Sequence, residues 1–218
     1  MLKAAMATAL LLAQAVEPFN GKDLSGWKTK GKAEKSKWKA GKASLDPANP
    51  ARLVVADGGG ELVNAEGKGV DLYSETLHGD ARIELELMVP KGSNSGVYVV
   101  GEYEVQVLDS WGKPKMGTGD IGALYGAAPP RVNASKPPGE WQTMTIDFKA
   151  PTFDADGKKT ANARFLKVEL NGQVIQEDVE MKGPTPAGVT GKEAPKGPLM
   201  FQGDHGPVAY RNIRIHPR

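Results

Sequence analysis

Apolar and polar residues alternate along most of the chain with a period of two, the spacing of β-strands with one face turned to a core. The sharpest run is Tyr103 to Leu108. Tyr103, Val105 and Val107 share one parity, and Glu102, Glu104 and Gln106 the other. Ala81 to Val89 repeats the pattern, with Ile83, Leu85, Leu87 and Val89 against Arg82, Glu84, Glu86 and Met88, until Pro90 ends it. Asn94-Ser95-Gly96 turns the chain into a further strand from Val97 to Val100, which leads to Glu102. If these three strands are neighbours in one antiparallel sheet, Glu84, Glu86, Glu104 and Gln106 share a surface. Like charges set together there cost free energy unless a cation, a shared proton or a sugar's hydroxyls relieve them.

The same reading predicts two short strands, Arg52 to Val55 and Glu61 to Val63, separated by a turn at Asp57-Gly58-Gly59-Gly60. Further strands follow on Met144, Ile146 and Phe148, on Leu166, Val168 and Leu170, and from Val208 to Ile215. Asn171-Gly172 is a hairpin turn, and Asp154-Ala155-Asp156-Gly157 is turn chemistry, since the other ligand positions of a calcium loop are missing. Lys28 to Ala43 reads as a solvated rim around Trp38. The stretches around Tyr125 and from Gly183 to Pro198 read as loops, because glycine and proline interrupt both.

Composition agrees with many short strands: 27 Gly and 16 Pro in 218 residues, with almost no long helical periodicity. One all-β domain over residues 16–218 is expected. A net charge of +2, with both signs mixed, offers no basic stripe for nucleic acid. The absence of cysteine removes disulfides, thiolate metal sites, cysteine nucleophiles and a lipoprotein anchor together. Residues 1–15 join a short basic end, an apolar run and a small-residue cleavage site after Ala15, which reads as a signal peptide rather than a membrane span. A periplasmic or secreted protein is expected.

Seven ordered motifs carry a resemblance: Phe19 to Trp27, Asn94 to Val97, Tyr103 to Ser110, Leu124-Tyr125-Gly126, Gly139-Glu140-Trp141, Leu170-Asn171-Gly172, and Gln202 to Gly206 with Tyr210 to Ile213. Together they resemble the 3-keto-disaccharide hydrolase domain family. The resemblance implies a concanavalin-like β-sandwich (jelly roll) of two antiparallel sheets with a concave ligand face, exported and acting on 3-keto-glycosides. Two positions depart from the family pattern. Glu84 stands where a histidine is common, and Glu102 where an arginine is common.

A 3-keto sugar has an acidified hydrogen on C2, so a base can form the enolate, the C1 substituent can leave by β-elimination, and water can add back. Such a site needs a base, a partner for the enolate oxygen and an acid for the leaving group. Glu104 and His205 are the candidate bases, and Glu86 or the Asp204-His205 pair the candidate acids. Arg211, Tyr125 or a divalent ion on Glu86, Glu104 and Asp109 could meet the enolate; no cofactor beyond such a metal ion is implied. Asp109 has the parity of the core residues and fits turn capping equally well, and Arg211 fits a structural ion pair. Gln106 suits a sugar hydroxyl, while Trp111 and Tyr125 suit either stacking on a pyranose or packing. The rival reading is a carbohydrate-binding module without catalysis.

Overall fold

A computed structural model describes residues 14–218. Seven strands form the larger antiparallel sheet, in the order β12(Gln173–Met181), β11(Ala163–Leu170), β8(Gln142–Lys149), β5(Ala81–Met88), β14(Val208–Pro217), β3(Asn49–Asn64), β2(Trp38–Asp46). Five form the smaller one: β1(Trp27–Lys30), β4(Asp71–His78), β13(Gly197–Phe201), β6(Asn94–Val99), β7(Tyr103–Leu108). A short ribbon of β9(Thr152–Phe153) and β10(Lys159–Ala161) lies outside both sheets, and a single 3-10 turn, Ala33–Lys35, links β1 to β2. This is the all-β, two-sheet antiparallel jelly roll that the family resemblance implies. Among the described residues no helix is long and apolar enough to cross a membrane.

The core is the layer between the sheets, where the apolar parity of each strand meets that of the other sheet. Phe201 of β13 stacks on Tyr210 of β14 with ring centroids 3.9 Å apart, and Tyr103 of β7 meets Phe148 of β8 at 5.6 Å. Ser95 fastens the layers further, since its hydroxyl lies 2.7 Å from the carbonyl of Gln202 and 2.9 Å from the Tyr210 hydroxyl.

Four expectations are corrected. The strands β5, β6 and β7 are not neighbours in one sheet: after Pro90 the chain crosses the sandwich, so β5 lies in the larger sheet and the β6–β7 hairpin in the smaller. The Asp57 to Gly60 cluster does not separate two strands. It is a bulge inside β3, where pairing with β2 jumps from Glu61 to Ala56, and Gly58, Gly59 and Gly60 take positive φ values of 115°, 61° and 96° to let the extra residues loop out. Leu166 leaves the core parity because the β11–β8 register shifts between Phe165 and Lys167, so Phe165 takes the inward position. The supposed rim around Trp38 contains β1 and β2, with Trp38 itself buried. The Asn171-Gly172 hairpin forms as expected, with φ of 52° and 78°. The expected signal peptide lies almost wholly outside the described residues.

Candidate functional site

The face of the five-stranded sheet turned away from the core carries polar residues in register. On β6 and β7, inward Val97 and Val105 alternate with outward Tyr98 and Glu104, and Tyr98 pairs directly across from Glu104. Asp71 at the start of β4 and Gln202 just after β13 extend the polar row. A cavity of about 210 Å³ sits on this face, lined by Asn94, Tyr98, Glu104, Gln106, Tyr125, Pro186, Ala187, Gln202 and His205.

Glu104 is 3% exposed yet faces this cavity rather than the apolar interior. Burial pushes its carboxyl up from 4.5 to about 7; the Tyr98 hydroxyl and His205 act against that rise, and the carboxylates of Asp71 and Asp204 add to it. Burial, with Glu104 beside it, drives the Tyr98 hydroxyl far above its usual range, so that residue 98 stays a donor; it donates to the Pro186 carbonyl at 3.1 Å. Gln106 donates to Asn94 Oδ1 at 2.7 Å, which orients both amides at the cavity wall.

His205 arrives on the loop between β13 and β14. Its Nδ1 lies 2.5 Å from Asp204 Oδ1, with both side chains half exposed. The loop is held down by Asp71, whose Oδ1 accepts from the Gly203 amide at 2.9 Å. A Cβ at Gly203 would strike the Trp38 indole and the Val70 carbonyl, and one at Gly206 would strike Ser93 and Asn94. These glycines serve close packing of the loop against the sandwich. Burial raises the Asp71 carboxyl, the Gly203 bond lowers it, and Asp204 raises it again, for a net rise.

The structure thus brings together Glu104, Gln106, Tyr125, Asp204 and His205. It does not bring the others. Glu86 lies on β5 of the opposite sheet, accepting from Arg211 Nε at 2.8 Å and Asn212 Nδ2 at 2.7 Å. Burial opposes its charge, but Asn212 and Arg211 outweigh it, and the carboxyl sits below its ordinary range. Arg211 bridges Glu86 and Glu61 over the Trp141 ring, 4.0 Å from its centroid, so the structural ion pair is the reading that holds. Asp109 caps a turn: its carboxylate accepts from the amides of Gly92 at 2.9 Å and Trp111 at 3.3 Å. Trp111 is exposed and outside the cavity lining. Glu86, Glu104 and Asp109 therefore cannot share one cation, and among the described residues no group of three or more potential ligands converges.

The departures from the family pattern also find places. Glu84 pairs with Arg82 at 2.9 Å and His216 at 3.4 Å on the large sheet, away from the cavity. Glu102 faces the 185–191 loop. Sequence reasoning missed Tyr98, Asn94, Asp71 and Gln202 as parts of the site. Tyr98 did carry a signal, the parity of Asn94 and Gly96, hidden within what looked like a plain apolar run.

The model of the 3-keto-alpha-glucoside-1,2-lyase-like domain matches residues 14–216. The chain belongs to this family. Among solved structures, a candidate glycosyl hydrolase from Parabacteroides distasonis is 31% identical, with TM-score 0.73 over 94% of this chain and 84% of that one. A second such protein from the same organism is 19% identical, with TM-score 0.63 and 94% of both chains covered. A third is 20% identical, with TM-score 0.52, over 88% of this chain and 99% of that one. Curated proteins give no significant match. Family and fold together make the chain a carbohydrate-active, glycosyl hydrolase-like β-sandwich.

Proposed function

We propose that the protein cleaves 3-keto-glycosides by proton abstraction at C2 followed by β-elimination, with Glu104 as base. The observation that carries this reading is a carboxyl poised at about 7 in a cavity near the size of one sugar ring. A base of that strength is half ionised near neutral pH, yet far more proton-seeking than an ordinary carboxylate. Family membership supports the substrate class.

In this scheme the Glu104 carboxylate takes the C2 proton, and the electrons of the C–H bond move into the enolate of the C3 ketone. The carboxamides of Gln106 and Gln202 are the hydrogen-bond donors at hand for O3, and the Tyr98 hydroxyl, whose proton goes to the Pro186 carbonyl, can accept from a ring hydroxyl. Collapse of the enolate breaks the C1–O bond. The departing oxygen takes a proton from the His205 imidazolium, which Asp204 holds through Nδ1. Elimination leaves a 1,2-unsaturated 3-keto sugar and a free alcohol. Water then adds at C1 and gives its second proton to His205, restoring the imidazolium, while Glu104, its proton exchanged with the entering water, protonates C2, so the net reaction is hydrolysis. His205 also borders a wider cleft of about 710 Å³ with Arg52, Glu66 and Lys68 in its lining, which suits the leaving group.

Export fits the same reading. A chain cut after Ala15 would keep Val16, whose amide donates to the Ile215 carbonyl at 2.8 Å and ties the new N-terminus to β14. The test is incubation of the purified protein with 3-keto-trehalose. Release of glucose by wild type and not by Glu104→Gln supports the proposal. Binding of the sugar without release by wild type would instead identify a non-catalytic binding module.

A further inference from the structure

Glu102 precedes β7, and its side chain is 3% exposed. Donors from a single loop meet its carboxylate: the Thr190 amide at 2.8 Å, the Thr190 hydroxyl at 2.7 Å and the Gly191 amide at 3.0 Å. A carboxylate satisfied by three donors is a strong fastening, and a buried one is costly to leave unmet. The backbone fastens the same loop. Thr185 N and Oγ1 both lie 2.9 Å from the Glu102 carbonyl, and the Val189 amide donates to Gly101 at 2.8 Å. At Gly188 a Cβ would collide with the Glu102 carboxylate, so the loop lies flat on this residue.

Between these two anchor points hang Pro186 and Ala187, which form one wall of the cavity. The Pro186 carbonyl takes the Tyr98 hydroxyl, and the Ala187 carbonyl takes Lys30 Nζ at 2.5 Å. We propose that Glu102 is a positioning residue that clamps the 185–191 loop over the cavity and so keeps water from the Glu104 carboxyl. Burial is the largest influence on Glu104, ahead of every group that faces it: Tyr98 from β6, Asp71 from β4, and Asp204 and His205 from the β13–β14 loop. Loosening the wall therefore acts on the dominant cause. The idea rests on Glu104 being the base only for its catalytic consequence, since the clamp can be read without any substrate.

The test is a carbon-13 carboxyl titration of Glu104 in wild type, Glu102→Gln and Thr190→Ala, with the signal assigned by its loss in Glu104→Gln. Glutamine keeps the size of residue 102 but turns an N–H pair towards donors. The expected midpoint is about 7 in wild type and at least ~1 pH unit lower in Glu102→Gln, with a smaller fall in Thr190→Ala. The acid limb of the pH-rate profile on a 3-keto-glucoside should move by the same amount. An unchanged midpoint in folded Glu102→Gln, or in Thr190→Ala should the first variant not fold, overturns the clamp. A titration that behaves as expected beside an inactive wild-type protein would overturn the reaction and leave the clamp standing.

Discussion

The carboxylate of Glu104 lies over Gly96, in the space that a Cβ at residue 96 would fill. Gly96 pairs with Gln106 on the neighbouring strand, so the absent side chain leaves a hole in the polar row into which Glu104 leans. Glycine weakens a strand interior, and here the lost stability is exchanged for a defined position of the base.

Gly96→Ala should therefore push Glu104 out of place. The expected loss is about tenfold or more in kcat/KM, with an overpacking cost of roughly 1–3 kcal/mol in urea unfolding. The stability cost should largely vanish when Gly96→Ala is made in a Glu104→Ala background, because the new methyl group then meets no carboxylate. Equal costs in both backgrounds would mean that residue 96 acts through the backbone alone.

Glu104 also sets a pH dependence of stability. Its folded value of about 7 exceeds the ordinary 4.5, so the folded protein holds a proton that the unfolded chain has already lost between those pH values. The contribution is fully present below about 4.5, is lost as pH rises through the window from 4.5 to 7, and is level above it. Glu104→Gln removes this loss. The variant should match wild type near pH 4 and exceed it near pH 8 by roughly 3 kcal/mol, the free-energy equivalent of the interval between the two values. Chemical denaturation at the two pH values checks this; a variant less stable than wild type at pH 8 would show that the ionised carboxylate is well accommodated.

The Glu86–Arg211 pair should behave in the opposite way. It lies on the larger sheet, so Arg211→Ala strands Glu61 and Glu86 and should cost about 2–3 kcal/mol of stability. The folded variant should turn over a 3-keto-glucoside at the wild-type rate well below its Tm. A fall in kcat without loss of stability would return Arg211 to the reaction.

These contrasts show what the sequence could and could not say. Alternation on β7 placed Glu104 and Gln106 on a polar face without any structure, because side-chain direction in a strand depends only on parity. The role of Gly203 and Gly206 shows only in the structure, where they pack the Asp204-His205 loop closely against Trp38, Val70, Ser93 and Asn94. Glu86 was misplaced because parity says which face a residue takes on its own strand, and nothing about which sheet the strand joins. That was decided at Pro90, where the chain crosses the sandwich. Asp71 had no local signal at all: it enters the site because β13, more than a hundred residues later, pairs beside β4 and brings the Gly203 amide to its carboxylate.

Turnover in deuterium oxide followed by proton NMR tests the central claim most directly, with a 3-keto-α-glucoside as substrate and the wild-type and Glu104→Gln proteins compared. Wild type should release the alcohol and form 3-keto-glucose carrying deuterium at C2, while Glu104→Gln should be slower by at least about a hundredfold in both release and labelling. Release of the alcohol with the original hydrogen retained at C2, or undiminished turnover by Glu104→Gln, would contradict it.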